Sequence, residues 1–66
     1  MNAETIMTPA IWEKLGEDLH QRVEDIRGMD SEWGEYTYGG LLNWLTANGF
    51  YRLRRSIEQR TAEVLR

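Results

Sequence analysis

Thr8-Pro9-Ala10-Ile11-Trp12-Glu13-Lys14-Leu15-Gly16-Glu17-Asp18-Leu19-His20-Gln21-Arg22-Val23-Glu24-Asp25-Ile26-Arg27-Gly28 is the stretch on which the fold turns. Trp12, Leu15, Leu19, Val23 and Ile26 recur at spacings of 3, 4, 4 and 3, which is one face of an α-helix, with Ile11 beside it. Thr8 can accept from the free amide groups of a first turn, and Pro9 sits where a missing N–H costs nothing. Arg27-Gly28 supplies a basic last turn and a glycine stop. The spacing predicts a helix over 9–27. Gly16 falls inside it and is expected to weaken it by roughly 1 kcal/mol relative to Ala.

Two further segments carry the same period. Thr37 can cap a helix over 38–48 whose apolar face is Leu41, Leu42, Trp44 and Leu45, ended by Asn48-Gly49. Phe50, Leu53, Ile57, Thr61 and Val64 predict a third helix over 50–65. Between the first two helices, residues 28–38 break the period. Tyr36 and Tyr38 alternate with Glu35 and Thr37, as in an extended strand, but no strand partner is evident, so a loop is expected. Residues 1–7 carry no periodicity and read as a flexible tail. The fold class expected is all-α, a small three-helix bundle in one domain over 8–66.

Size and composition narrow the function. A chain of 66 residues supports only a modest core. Small domains commonly add disulfides, a metal or oligomerisation. With no Cys and one His there is no disulfide and no thiolate or structural zinc site, so association with a partner is the remaining staple. Met1–Thr5 lacks the basic and apolar regions of a signal peptide, and no apolar run is long enough for a bilayer, so a cytoplasmic protein is expected.

Catalysis is not expected. The carboxylates lie on the outer flank of the first helix, where water holds them near ordinary behaviour. His20 lies one position off the apolar stripe and reads as a boundary residue. Ser31 and Ser56 have no His within local reach, and Gly39-Gly40 lacks the strand and Lys of a phosphate loop. No cofactor, catalytic residue or metal ligand is assigned.

Binding surfaces are the better reading. The net charge is −3, with −6 in residues 1–38 and +3 in residues 39–66. Such asymmetry either steers partners or draws the two halves together. Glu13, Glu17 and Glu24 share one helical flank and suit a larger protein with a basic surface, including one that binds nucleic acid. Trp33, Tyr36 and Tyr38, among Glu32 and Glu35, read either as a lid folded back on the small core or as an exposed aromatic hot spot with an acidic rim. Arg52, Arg54 and Arg55 on the third helix are the candidate nucleic-acid or dimer contacts.

A helix-turn-helix centred on Gly49 fits poorly. The position about six residues on, which should be buried, is Arg55, and Leu45 stands where a small residue is wanted. The acidity of the chain also opposes phosphate binding. Local pairs Arg54–Glu58, Arg60–Glu63, Lys14–Asp18 and Asp18–Arg22 are expected instead. The leading expectation is a small acidic protein-binding module, an inhibitor or adaptor that occludes a surface of a larger protein. Phage and mobile-element inhibitors of host defences often have this size and charge, although no residue motif carries that likeness. The alternatives are a helical nucleic-acid regulator using the third helix, and a homodimeric structural protein.

Overall fold

A computed structural model describes residues 1–28 and 36–64. Four helices appear among them: α1 (Pro9–Leu15), α2 (Glu17–Arg27), α3 (Tyr38–Ala47) and α4 (Tyr51–Val64). They hold 74% of the described residues, so the fold is all-α, as the apolar spacing predicts. None is long and apolar enough to cross a membrane.

The expected helix over 9–27 is in fact two. It breaks at Gly16, whose φ of 119° and ψ of 135° lie in a region essentially reserved for glycine. Both sides of the break are closed by hydrogen bonds. Gly16 N–H donates to the Trp12 carbonyl at 2.9 Å, and His20 N–H to the Gly16 carbonyl at 3.2 Å. The Leu15 carbonyl, left over at the end of α1, accepts from the Arg60 guanidinium at 2.7 Å. Arg60 also grips Asp18 with two hydrogen bonds of 3.2 Å. Asp18 therefore pairs with α4, and not with Lys14 or Arg22 as expected. This ion pair joins the acidic first half of the chain to the basic second half.

The N-terminal segment, expected to be a flexible tail, is docked. Met7 is buried in the core. The Tyr38 N–H donates to the Thr5 carbonyl at 2.8 Å, Gly39 N–H to Ala3 at 2.9 Å, and Met7 N–H to Tyr36 at 3.0 Å. An antiparallel bridge joins Ile6 and Thr37. The extended stretch around Tyr36 and Tyr38 thus has a partner, in the segment that looked unstructured. These contacts also satisfy the first amides of α3, where the Thr37 hydroxyl accepts from Gly40 N–H at 3.0 Å. A side chain at Gly39 would collide with Ala3, so glycine lets the two backbones meet.

The core joins Met7, Trp12, Leu15, Leu19, Val23, Tyr38, Leu41, Leu42, Leu45, Leu53 and Ile57. Helix α4 packs against all three other helices. Its inner face is Leu53, Ile57 and Thr61, whereas Val64, expected on that stripe, is 38% exposed. The buried hydroxyls are paired in sequence: Tyr38 donates to Thr61 Oγ1 at 3.2 Å, and Thr61 donates to the Ile57 carbonyl at 2.7 Å. At the α3–α4 turn Gly49 takes φ 82°, and the rings of Trp44 and Phe50 stack at 5.9 Å.

Leu19→Ala should lower stability by about 2–5 kcal/mol, the usual loss for emptying a core leucine site. Val64→Ala should change it by less than about 0.5 kcal/mol, as expected away from the core. Urea unfolding followed by circular dichroism measures both; equal effects would place the core wrongly.

Candidate protein-binding surface

The aromatic cluster read from the sequence divides. Trp33, Glu32 and Glu35 lie outside the described residues. Tyr38 is a core residue, 8% exposed, and Tyr36 packs against the core half-buried. The Trp12 indole N–H donates to the Tyr36 hydroxyl at 2.9 Å. The Arg27 guanidinium lies 5.1 Å from the Tyr36 ring centre and 5.2 Å from that of Trp44, so it sits against two aromatic rings. Tyr36 and Tyr38 are therefore internal fasteners, and neither is an exposed anchor for a partner. Burial pushes the Tyr36 phenol up from 10.0 to about 12, against the opposing effects of the Trp12 hydrogen bond and the Arg27 charge.

The acidic flank survives as a surface. Glu13, near the end of α1, and Glu17, at the start of α2, are both exposed. Neither makes an ion pair among the described residues. Together with Pro9, Trp12 and His20 they line a shallow cleft of about 340 Å³. The Gly16 break shapes this cleft, because it separates the two glutamates onto two helices. His20 stacks on Trp12 with ring centres 4.7 Å apart and planes 10° apart, and its Nε2 lies 2.9 Å from Glu24 Oε1. Glu24 is thus engaged within the molecule and only half-buried, while Glu13 and Glu17 remain open. Asp18, on the same turn as Glu17, is held below the ordinary carboxylate range chiefly by its hydrogen bonds from Arg60.

The arginines of α4 also separate. Arg54 is occupied by Glu58 at 3.2 Å, as expected, and by the Thr46 hydroxyl. Arg60 is turned to Asp18 and Leu15. Arg52 and Arg55 are exposed and without an ion pair among the described residues. The exposure of Arg55 leaves a helix-turn-helix without its buried position. The apolar stripe available for a dimer through α4 is spent inside the monomer at Leu53 and Ile57.

Sequence reasoning overlooked Tyr51. It is 64% exposed, the most exposed large apolar side chain described, and borders a second groove with Ile26 and Phe50. A tyrosine one position off the Phe50-Leu53-Ile57 stripe, next to Arg52, was the available signal. Among the described residues no three His, Asp or Glu side chains gather to hold a metal ion. No protein-family model, curated protein or solved structure matches the chain.

The raised Tyr36 phenol has a consequence at high pH. Its proton is held more tightly in the folded state, so its contribution is complete below about 10 and disappears as the pH rises through about 12. Stability should fall across that window, and Tyr36→Phe should flatten the fall. Urea midpoints measured against pH, beside an ultraviolet titration of the tyrosines, check this.

Proposed function

We propose that the chain is a small protein-binding module, an inhibitor or adaptor, that covers a basic surface of a larger cytoplasmic protein through the α1–α2 flank. The observation that carries this reading is the cleft at the Gly16 break. Two exposed glutamates without ion pairs among the described residues, Glu13 and Glu17, border a floor supplied by Pro9 and by His20 stacked over the buried Trp12. Such a floor with an acidic rim suits a lysine or arginine, whose methylene stem packs on the floor while its charge meets the rim. The acids also steer approach, which raises association rates more than final affinity. A basic surface of this kind is common on proteins that bind nucleic acid.

The nucleic-acid reading finds less support. Of the candidate arginines, Arg54 is already paired within the molecule with Glu58, and Arg60 further along α4 is turned to Asp18. The chain as a whole is acidic, which opposes phosphate binding.

An affinity pull-down from native cytosol, with and without nuclease, tests the proposal. A dominant protein should be retained in both arms and lost with Glu13→Lys/Glu17→Lys, whose melting temperature should match the parent. Nuclease-sensitive recovery of many proteins, or retention unaffected by the charge reversal, would overturn it.

A further inference from the structure

A second surface of opposite character lies on α2 and α4. Arg22, Ile26, Phe50, Tyr51, Arg52 and Leu53 line a shallow groove of about 410 Å³ at the α3–α4 turn. Its floor is apolar: Leu53 is buried, and Ile26 and Phe50 are half-buried against the core. Tyr51 stands beside it, 64% exposed. On α2, Arg22 and Ile26 fall on one side of the buried Leu19–Val23 stripe, and His20 and Glu24 on the other. The groove is therefore separate from the Glu13–Glu17 cleft.

Charge identifies the occupant. Arg22 and Arg52 make no ion pair among the described residues, and Arg55, one turn beyond Arg52, makes none either. The acids near them in sequence are engaged elsewhere, Glu24 with His20 at 2.9 Å. Asp25 accepts from the Gln21 amide at 2.9 Å, and Glu58 pairs with Arg54. In a chain of net charge −3, unpaired arginines flanking an apolar trough beside an exposed tyrosine form a local basic surface. Tyr and Arg are also the residues that contribute most to interfaces.

We infer that this groove binds an acidic peptide segment of another protein: an aliphatic or aromatic side chain enters between Ile26, Phe50 and Leu53, and flanking carboxylates meet Arg22 and Arg52. A second copy of this chain is the poorer occupant, because two-fold pairing would bring Arg22 and Arg52 of both copies together. Nucleic acid is poorer as well. A polyanion would meet two arginines at the groove but the net negative field of the whole chain, whereas a short peptide presents few charges. With the acidic cleft elsewhere, the molecule holds two surfaces of opposite charge, as an adaptor requires.

The test uses the full chain and immobilised short peptides, each with a central Leu or Phe flanked by Glu, Gln or Lys. The Glu series should be retained best and the Lys series least. Arg22→Glu and Arg52→Glu should each weaken retention of the Glu series by about tenfold, and Tyr51→Ala should weaken all series. Glu13→Lys/Glu17→Lys should leave retention intact, which separates this surface from the acidic cleft. All these side chains are exposed or at the groove edge, and thermal melts confirm that each variant folds. Equal retention of the Glu and Gln series would overturn the inference. So would the absence of retention, or preference for a single-stranded oligothymidylate. Self-association in sedimentation that Arg52→Glu abolishes would also overturn it, in favour of a second copy.

Discussion

The break at Gly16, clamped by Arg60, is the constraint on which the arrangement depends. An uninterrupted helix over the same residues would be straight and about 28 Å long at 1.5 Å per residue, longer than α4 and unable to wrap it. Breaking the chain at a residue without a side chain lets α1 and α2 each lay a short apolar face on α4. Any break leaves helix-end carbonyls without partners. Arg60 answers for Leu15 by reaching from the far end of the sequence, and its other nitrogen holds Asp18 just past the break. One side chain therefore closes a helix end, pairs a carboxylate and joins the two oppositely charged halves. The ion pair is exposed and contributes modestly by itself. Its geometric role is larger, since the same guanidinium fixes the path of the backbone at the edge of the acidic cleft.

A second fastening closes the other end of the molecule. Residues 3–7 run beside residues 36–39, and Met7 fills the core below them. Tyr36 is held by Trp12, and Arg27 lies against Tyr36 and Trp44. The aromatic residues that look like interface anchors are thus used to tie the N-terminal segment, α1, α2 and α3 into one core. In a chain with no disulfide and no metal, large rings with one polar atom each serve well, because they bury area while their hydroxyl or indole groups find partners. The price is that they are no longer available to a partner.

The helices were legible because amphipathic period is a local property. Leu41, Leu42 and Leu45, and Leu53, Ile57 and Thr61, are buried where their spacing puts them. The caps at Thr8, Thr37, Gly28 and Asn48 are equally local. The Gly16 break was not legible, because Trp12, Leu15, Leu19 and Val23 stay inward on both sides of it, so the period never falters. The docking of the N-terminal segment was invisible for a different reason. Its order comes from backbone hydrogen bonds between residues about thirty or more positions apart, and such bonds leave no pattern in side-chain type. The same holds for Asp18: helical spacing offered Lys14 and Arg22, and only the folded chain brings Arg60 near. Of the candidate site residues, Glu13 and Glu17 are open as expected, and Glu24 is engaged by His20. Tyr38 is inside and Tyr36 is half-buried against the core, since spacing along a loop does not say which way a ring turns.

Substitution of Gly16 by alanine reads the central constraint directly, because the two views of this residue predict opposite signs. In a continuous helix Gly16→Ala would stabilise the protein by roughly 0.5–1 kcal/mol. With φ at 119°, and with Arg60 and Asp18 packed where the new methyl group would stand, it should instead destabilise by about 1–3 kcal/mol. Equilibrium unfolding in urea, followed by circular dichroism on parent and variant, measures the difference. A lower midpoint for Gly16→Ala is the predicted result, and a higher one would contradict the break and the cleft built on it.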